Sequence, residues 1–243
     1  MNRWTSIFLV TILFVAVTTM GCQKEGKAVL KDNKEKVSYS IGQSIGANIK
    51  TQDMDLDTPT LIKGLQDGLK GKCALSAEEM QSVLMTFQKE MQAKQVAKFK
   101  EASEKNLKEG IAFLEKNKKE NGVVTLPSGL QYKVVKSGNG ASPKVTDTVV
   151  VHYIGKLIDG KEFDNSYKRN QPATFKVNQI IPGWSEALQK MKMGDRWMIY
   201  LPANLAYGAN GAGSVIGPNA VLIFDVELID INPTTPAPTA AKQ

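Results

Sequence analysis

The chain has 243 residues, 42% of them hydrophobic, enough for one or two domains with a sizeable core. Its formal charge of +7 is spread over lysine-rich, helix-like stretches, with no compact arginine cluster and no nucleic-acid-reading motif, which leaves a solvated surface and no nucleic-acid partner. Two cysteines, Cys22 and Cys73, and one histidine, His152, are too few for a disulfide scaffold, a cysteine zinc site, a histidine triad or a multi-histidine metal centre, and no Walker loop or GxGxxG turn occurs.

Arg3 precedes an apolar run over residues 7–17, IFLVTILFVAV. The run has the length of a secretory h-region and falls short of the roughly 20 residues that span a bilayer. It ends at Thr19-Met20-Gly21-Cys22, which resembles a bacterial lipobox with Thr19 where leucine is usual. The expectation is a signal peptide over residues 1–21 and lipid on Cys22, giving membrane contact through the anchor. Gln23 does not resemble the aspartate that retains some lipoproteins at the inner membrane. An outer-membrane lipoprotein of a Gram-negative bacterium, periplasmic or cell-surface, is therefore expected. Ordinary secretion with cleavage nearby is the alternative.

Residues 22–34 are charged and aperiodic and predict a tether. Val37, Ile41, Ile45 and Ile49 then recur every fourth residue, one apolar helical face, with Gly42 and Gly46 beside it. Glycine costs a helix about 1 kcal/mol against alanine, so the pair predicts close approach by another backbone. Thr58-Pro59 predicts a second N-terminus, with Leu61, Ile62, Leu65 and Leu69 as its face and Gly71 as its end. This all-α module covers residues 35–75. Ser76-Ala-Glu-Glu79 is a capping-box pattern, and helix formers continue to Lys119, with Asn121-Gly122 as the stop. A connecting helix of about 43 residues over 76–120 spans roughly 65 Å. Met80, Leu84, Phe87 and Met91 need a partner, whereas residues 92–106 are almost wholly polar and predict a bridge through solvent. So few helices cannot bury these faces alone, and a homodimer is expected.

From residue 121 the pattern shifts to short β-rich runs, at 130–135, 148–157, 175–177, 196–201 and 221–231, separated by glycine and proline turns. The one clear helix among them covers residues 184–190. The fold class is α+β, an antiparallel sheet wrapped around one short helix over 121–232. The tail 233–243, PTTPAPTAAKQ, is low in complexity and predicts disorder. The β-rich half is also dense in aromatics: Tyr153, Phe163, Phe175, Trp184, Tyr207 and Phe224, with Ile180, Ile181 and Ile216 in the turns and Asp164 after Phe163. No nucleophile–base pair or phosphate loop accompanies them. Periodicity leaves open both an ordinary core and an apolar small-ligand pocket.

Val151-His-Tyr-Ile-Gly155, Gly160-Lys-Glu-Phe-Asp-Asn-Ser166, Val177-Asn-Gln-Ile-Ile-Pro-Gly-Trp184, Leu205-Ala-Tyr-Gly208 and Leu222-Ile-Phe-Asp-Val-Glu-Leu228 together resemble the FKBP family of peptidyl-prolyl isomerases. Lys36-Val-Ser-Tyr-Ser-Ile-Gly42 and Leu126-Pro-Ser-Gly-Leu-Gln-Tyr-Lys133 resemble its macrophage infectivity potentiator-like, dimeric periplasmic branch. The resemblance implies an Xaa-Pro isomerase without a cofactor, acting on unfolded or partly folded proteins and bound by macrolide inhibitors of the rapamycin type. It implies Asp164 and Tyr207 as catalytic residues. Tyr153, Phe163, Phe175, Ile180, Ile181, Ile216 and Phe224 would bind substrate above Trp184 as the floor. The Ile181 N–H and the Tyr207 hydroxyl would hold substrate carbonyls. Ala173 and Ala212 depart from residues of some members and alter the rim. The alternative is a chaperone or peptide-binding module whose isomerase activity is secondary.

Overall fold

The structure, a computed structural model, describes residues 29–233. The expected signal segment, Cys22 and the tail beyond Pro233 lie outside the described residues. Contacts divide the chain into two units, parting between Ala74 and Leu75.

In the first unit, helix α1 (Asn33–Thr51) starts where the Asp32 carboxylate accepts the Glu35 N–H at 2.8 Å. Helix α2 (Thr58–Leu69) is capped by Asp57, which accepts the Thr60 N–H at 2.9 Å. The cap thus falls one residue before Thr58, because the Asp57 carboxylate reaches the third amide of the turn and Pro59 becomes the second helical residue. Gly71, at φ +65°, ends the helix as expected. Neither α1 nor α2 contains a buried residue, and Val37, Ile41, Ile45, Leu61, Ile62 and Leu65 are all exposed. A Cβ added to Gly42 or Gly46 would meet nothing within 4 Å, so among the described residues no backbone makes the close approach that the glycines predict.

The second unit opens with helix α3 (Ala77–Asn117), and its capping box is complete: the Glu79 N–H donates to Ser76 Oγ at 3.1 Å and the Ser76 N–H to Glu79 Oε2 at 2.8 Å. The helix stops at Asn117, two residues before the expected Lys119. From Ser103 onward it buries a stripe, Ser103, Asn106, Gly110, Phe113, Leu114 and Asn117, at the three- and four-residue steps of one helical face. The Asn117 amide donates to Gln131 Oε1 at 2.8 Å, and Gln131 Nε2 donates to the Leu114 carbonyl at 3.0 Å. A Cβ on Gly110 would stand 2.7 Å from Val221, so glycine is what lets the helix lie this close. The predicted solvent bridge therefore ends at Ser103. The helix is held by polar groups there, which hydropathy does not register.

The remainder is one antiparallel sheet of seven strands: β1 (Val123–Thr125), β2 (Gln131–Lys136), β3 (Thr148–Leu157), β4 (Glu162–Asn165), β5 (Ala173–Lys176), β6 (Arg196–Leu201) and β7 (Leu222–Ile231). The order is β1-β2-β6-β7-β3-β4, with β5 also on β3. β1 and β4, three and four residues long, are too short to show period 2 in the sequence. Strand β5 ends before Val177, where a 3-10 turn begins. Alternate residues on the central strands point inward: Val149, Val151 and Tyr153 on β3, Trp197, Ile199 and Leu201 on β6, and Leu222, Phe224, Val226 and Leu228 on β7. Helix α4 (Pro182–Leu188) packs into this concavity through Gly183, Trp184, Ala187 and Leu188. It begins two residues before the expected Trp184, since the fixed φ of Pro182 suits the first helical position. A Cβ on Gly183 would lie 2.5 Å from Leu201, so Pro-Gly seats the first turn on β6 and puts Trp184 inside.

Candidate active site

Trp184, 4% exposed, stands edge-on to three aromatic rings. Its centroid is 5.2 Å from Tyr153 at 89°, 5.2 Å from Phe224 at 86° and 5.7 Å from Phe175 at 80°. These are favoured edge-to-face geometries. The three partners come from β3, β7 and β5, so the cluster exists only once the sheet has formed. Phe163 on β4 meets Phe224 edge-on at 5.6 Å. Ile180, Ile181 and buried Ile216 pack on the same cluster. Tyr207 lies apart from the ring contacts, 42% exposed on the loop between β6 and β7. Its phenol is held above its ordinary pKa by burial and then by the nearby Asp164 carboxylate. The Trp184 indole N–H is buried and meets no hydrogen-bond acceptor among the described residues, so packing, and no bond of its own side chain, orients the indole.

The wall beside the rings is polar. Asp164 accepts from the Tyr153 hydroxyl, from the Arg169 guanidinium and, at 2.7 Å, from the Asn165 N–H. Arg169 Nη2 also donates to the Tyr153 hydroxyl at 3.3 Å. Burial, with the Asp164 bond second, pushes the Tyr153 phenol up to about 12. The Asp164 bond likewise holds Arg169 above its ordinary value. With its oxygens engaged by three donors, Asp164 is an electrostatic fixture, poorly placed to carry protons.

Three contributors escaped the sequence reading. Arg169 reaches Asp164 because the Asn165 side chain accepts the Tyr167 and Lys168 N–H groups at 2.9 and 3.2 Å, folding the chain back. The Asn-Ser turn signal after Asp164 was legible, but the partner it returns was not. Ser166, fully buried, takes the Tyr153 N–H at 2.8 Å and donates to the Tyr153 carbonyl at 3.2 Å, which fixes that residue on β3. Gly155 pairs with Phe224 across β3 and β7, and a Cβ there would stand 2.6 Å from the Phe163 ring and 3.0 Å from Phe224. Of the two expected rim departures, Ala173 is 2% exposed in the ladder opposite Val151, a core position, while Ala212 lies on the loop in a two-way bridge with Ile216. His152 is a strand residue as expected, stacked on Tyr167 at 4.3 Å.

The arrangement is a buried aromatic cluster with an ion pair at its side and an exposed tyrosine on the neighbouring loop. Apolar rings with a few polar groups beside them are the usual lining of a small-ligand site. Residues 139–229 match the family model described as FKBP-type peptidyl-prolyl cis-trans isomerase, and residues 34–134 match the domain amino-terminal to such isomerases. The chain belongs to the FKBP-type peptidyl-prolyl cis-trans isomerases. It is 47% identical over 221 residues to the outer membrane protein MIP of Legionella longbeachae, covering 90% of this chain and 94% of that protein. It is 44% identical over 213 residues to the isomerase Mip of Coxiella burnetii, covering 87% and 93%. The crystal structure of FkpA from Escherichia coli superposes with a TM-score of 0.67 at 41% identity, over 85% of this chain and all of that one. The helical amino-terminal part followed by an antiparallel β-sheet domain is the architecture of that structure.

Proposed function

We propose that this isomerase assists protein folding in the periplasm or at the cell surface, and that the concavity around Trp184 is where the prolyl bond turns. The observation carrying this reading is the ring of Tyr153, Phe175 and Phe224 edge-on to Trp184, with Asp164 and Arg169 at its side. Amide rotation is opposed by roughly 18–20 kcal/mol because resonance stiffens the C–N bond. That resonance puts negative charge on oxygen and positive charge on nitrogen. An apolar enclosure disfavours this separation and so favours the twisted amide, in which it has collapsed. The proline ring rests on Trp184, Phe163 and Ile216 form the sides, and Ile180 and Ile181 close the entrance. The Ile181 N–H and the Tyr207 hydroxyl receive the flanking carbonyls. The Asp164 carboxylate, paired with Arg169, supplies a fixed field at the reacting carbonyl. Each tenfold acceleration requires only about 1.36 kcal/mol, so several modest effects suffice without proton transfer.

Two further features belong to this reading. The chain acts as a homodimer, supported by apolar faces on α1 and α2 with no buried residue. Cys22, beyond the described residues, carries a lipid anchor to the outer membrane, supported by the lipobox-like sequence. A second reading, a chaperone that grips unfolded chains and isomerises them secondarily, draws on the same exposed faces.

The test is a protease-coupled tetrapeptide assay on the soluble mature chain carrying Trp197→Phe, titrated with rapamycin. Trp184 is then the sole tryptophan of the mature chain. Inhibition and a change in its fluorescence rise together if the ligand sits on that ring. Inhibition with an unchanged signal removes Trp184 from the site.

A further inference from the structure

The loop between β6 and β7 carries Tyr207 and Ile216, and it is fastened from outside the sheet domain's own strands. The Asn106 amide of α3 donates to the Pro218 carbonyl at 2.8 Å. One helical turn earlier, Ser103 Oγ accepts from the Asn219 amide at 2.7 Å. Gly217 lies so near that a Cβ there would stand 2.8 Å from the Asn106 amide nitrogen. These contacts run on into the loop. The Asn219 N–H donates to the Gly208 carbonyl at 2.9 Å, tying the anchored end to the residue after Tyr207. Ala212 and Ile216 exchange backbone bonds at 2.8 and 3.1 Å, so Ile216 sits two residues from the anchored Pro218. Asn219 holds a left-handed backbone at φ +55°, a conformation that needs local support in a residue other than glycine.

We propose that Ser103 and Asn106 are positioning residues of the active site: α3 acts as a splint that holds the Tyr207–Ile216 loop in its substrate-binding form. The inference rests on the assignment of Tyr207 and Ile216 to the site. A cleft of about 250 Å³ lies beneath the helix here, between Leu107 and Ile111 on one side and Pro202, Ala203 and Val221 on the other. Apart from the packing of Gly110 on Val221, the helix therefore touches the loop at a few polar points, without a continuous packed interface. Removing those points frees the loop without emptying the core. If the loop is competent only part of the time, apparent affinity falls by that fraction while turnover of bound substrate persists. The signature of the splint is thus a raised KM at a preserved kcat.

Asn106→Ala and Ser103→Ala in the full soluble chain are expected to raise the tetrapeptide KM about three- to tenfold, the range of one lost hydrogen bond. The kcat stays within experimental error of wild type. Ser103→Thr, which keeps the hydroxyl, restores the wild-type KM. Asn106→Asp, which turns a donor into an acceptor facing the Pro218 carbonyl, exceeds Asn106→Ala. Hydrogen exchange of the Ala212, Ile216 and Asn219 amides accelerates in the alanine variants while β3 and β7 keep their protection. Unchanged kinetics, or faster exchange everywhere with a fall in kcat alone, overturns the splint. Tyr207→Phe and Ile216→Ala in a chain with α3 intact separate the two levels. If those variants leave activity untouched, the fault lies in assigning the loop to the site. If they impair it and the α3 variants do not, the fault lies in the splint.

Discussion

Gly155 and Tyr153 carry the clearest consequences for single side chains. At Gly155 the rings of Phe163 and Phe224 occupy the space a methyl group would take, at 2.6 and 3.0 Å. Gly155→Ala must displace those rings within the cluster around Trp184, at an overpacking cost of about 1–3 kcal/mol. We expect the variant to fold, with kcat/KM lowered about tenfold or more as the concavity narrows, since each factor of ten is only about 1.36 kcal/mol. Paired tetrapeptide kinetics and thermal melts check this; wild-type kinetics with a lowered melting temperature would place Gly155 outside the site. Tyr153 has a phenol pKa raised to about 12 against 10.0 for the free group, through burial and the Asp164 bond. Between these values the unfolded chain loses its proton and the folded chain keeps it, so stability falls as pH rises through that window. The contribution is complete below pH 10. Tyr153→Phe is therefore expected to flatten the part of the alkaline stability loss between about pH 10 and 12 relative to wild type. Denaturant unfolding at several pH values tests it, and parallel pH profiles for the two proteins would refute it.

At the scale of elements, α3 has two characters. Its first turns present Met80, Val83, Leu84 and Met85 to solvent, and its last turns grip the sheet domain through Asn117, Gln131, Gly110 and Val221. A fragment starting at Asn121 keeps all of the aromatic cluster but loses that grip, whereas one starting at Glu101 keeps both. Both fragments are expected to be monomeric and active on a tetrapeptide. The shorter one is less stable by about 2–6 kcal/mol, the sum of four lost hydrogen bonds of ordinary strength. Urea midpoints of the two fragments decide it; equal midpoints would mean that the last turns of α3 contribute nothing. The grip was invisible to periodicity because its members are Ser103, Asn106, Gly110 and Asn117, residues a hydrophobic pattern counts as solvent-facing or neutral. The N-caps of α2 and α3, by contrast, were legible within a residue, since they depend on side chains three positions apart.

For the whole molecule, α1 and α2 of the first unit have no buried residue, so among the described residues their apolar faces are left without a core of their own. Gly42, Gly46, Gly64 and Gly68 have open space around them, room that a second backbone can use. The soluble mature chain is expected to sediment as a dimer. Ile45→Glu with Leu65→Glu should yield a monomer that retains tetrapeptide turnover. That monomer should catalyse refolding of a long proline-limited protein more slowly, because two linked sites raise the local concentration of substrate. A wild-type chain that sediments as a monomer would exclude this arrangement.

The sequence by itself determined the helical stretches, the capping box at Ser76, strands β2, β3, β5, β6 and β7 to within a few residues, and the identity of the ring-bearing residues. Each of these is set by neighbours within a few positions, through periodicity or turn chemistry. Family motifs likewise marked Trp184, Tyr153 and Asp164, because those blocks survive as strings. Only the tertiary structure decided what meets what. It placed Trp184 edge-on to rings from three strands, gave Arg169 to Asp164, put Gly155 beneath Phe163, and brought Asn106 to Pro218 from 112 positions away. Such pairings depend on register and sheet order. Those follow from the burial of many side chains at once, so no local window of the chain contains them.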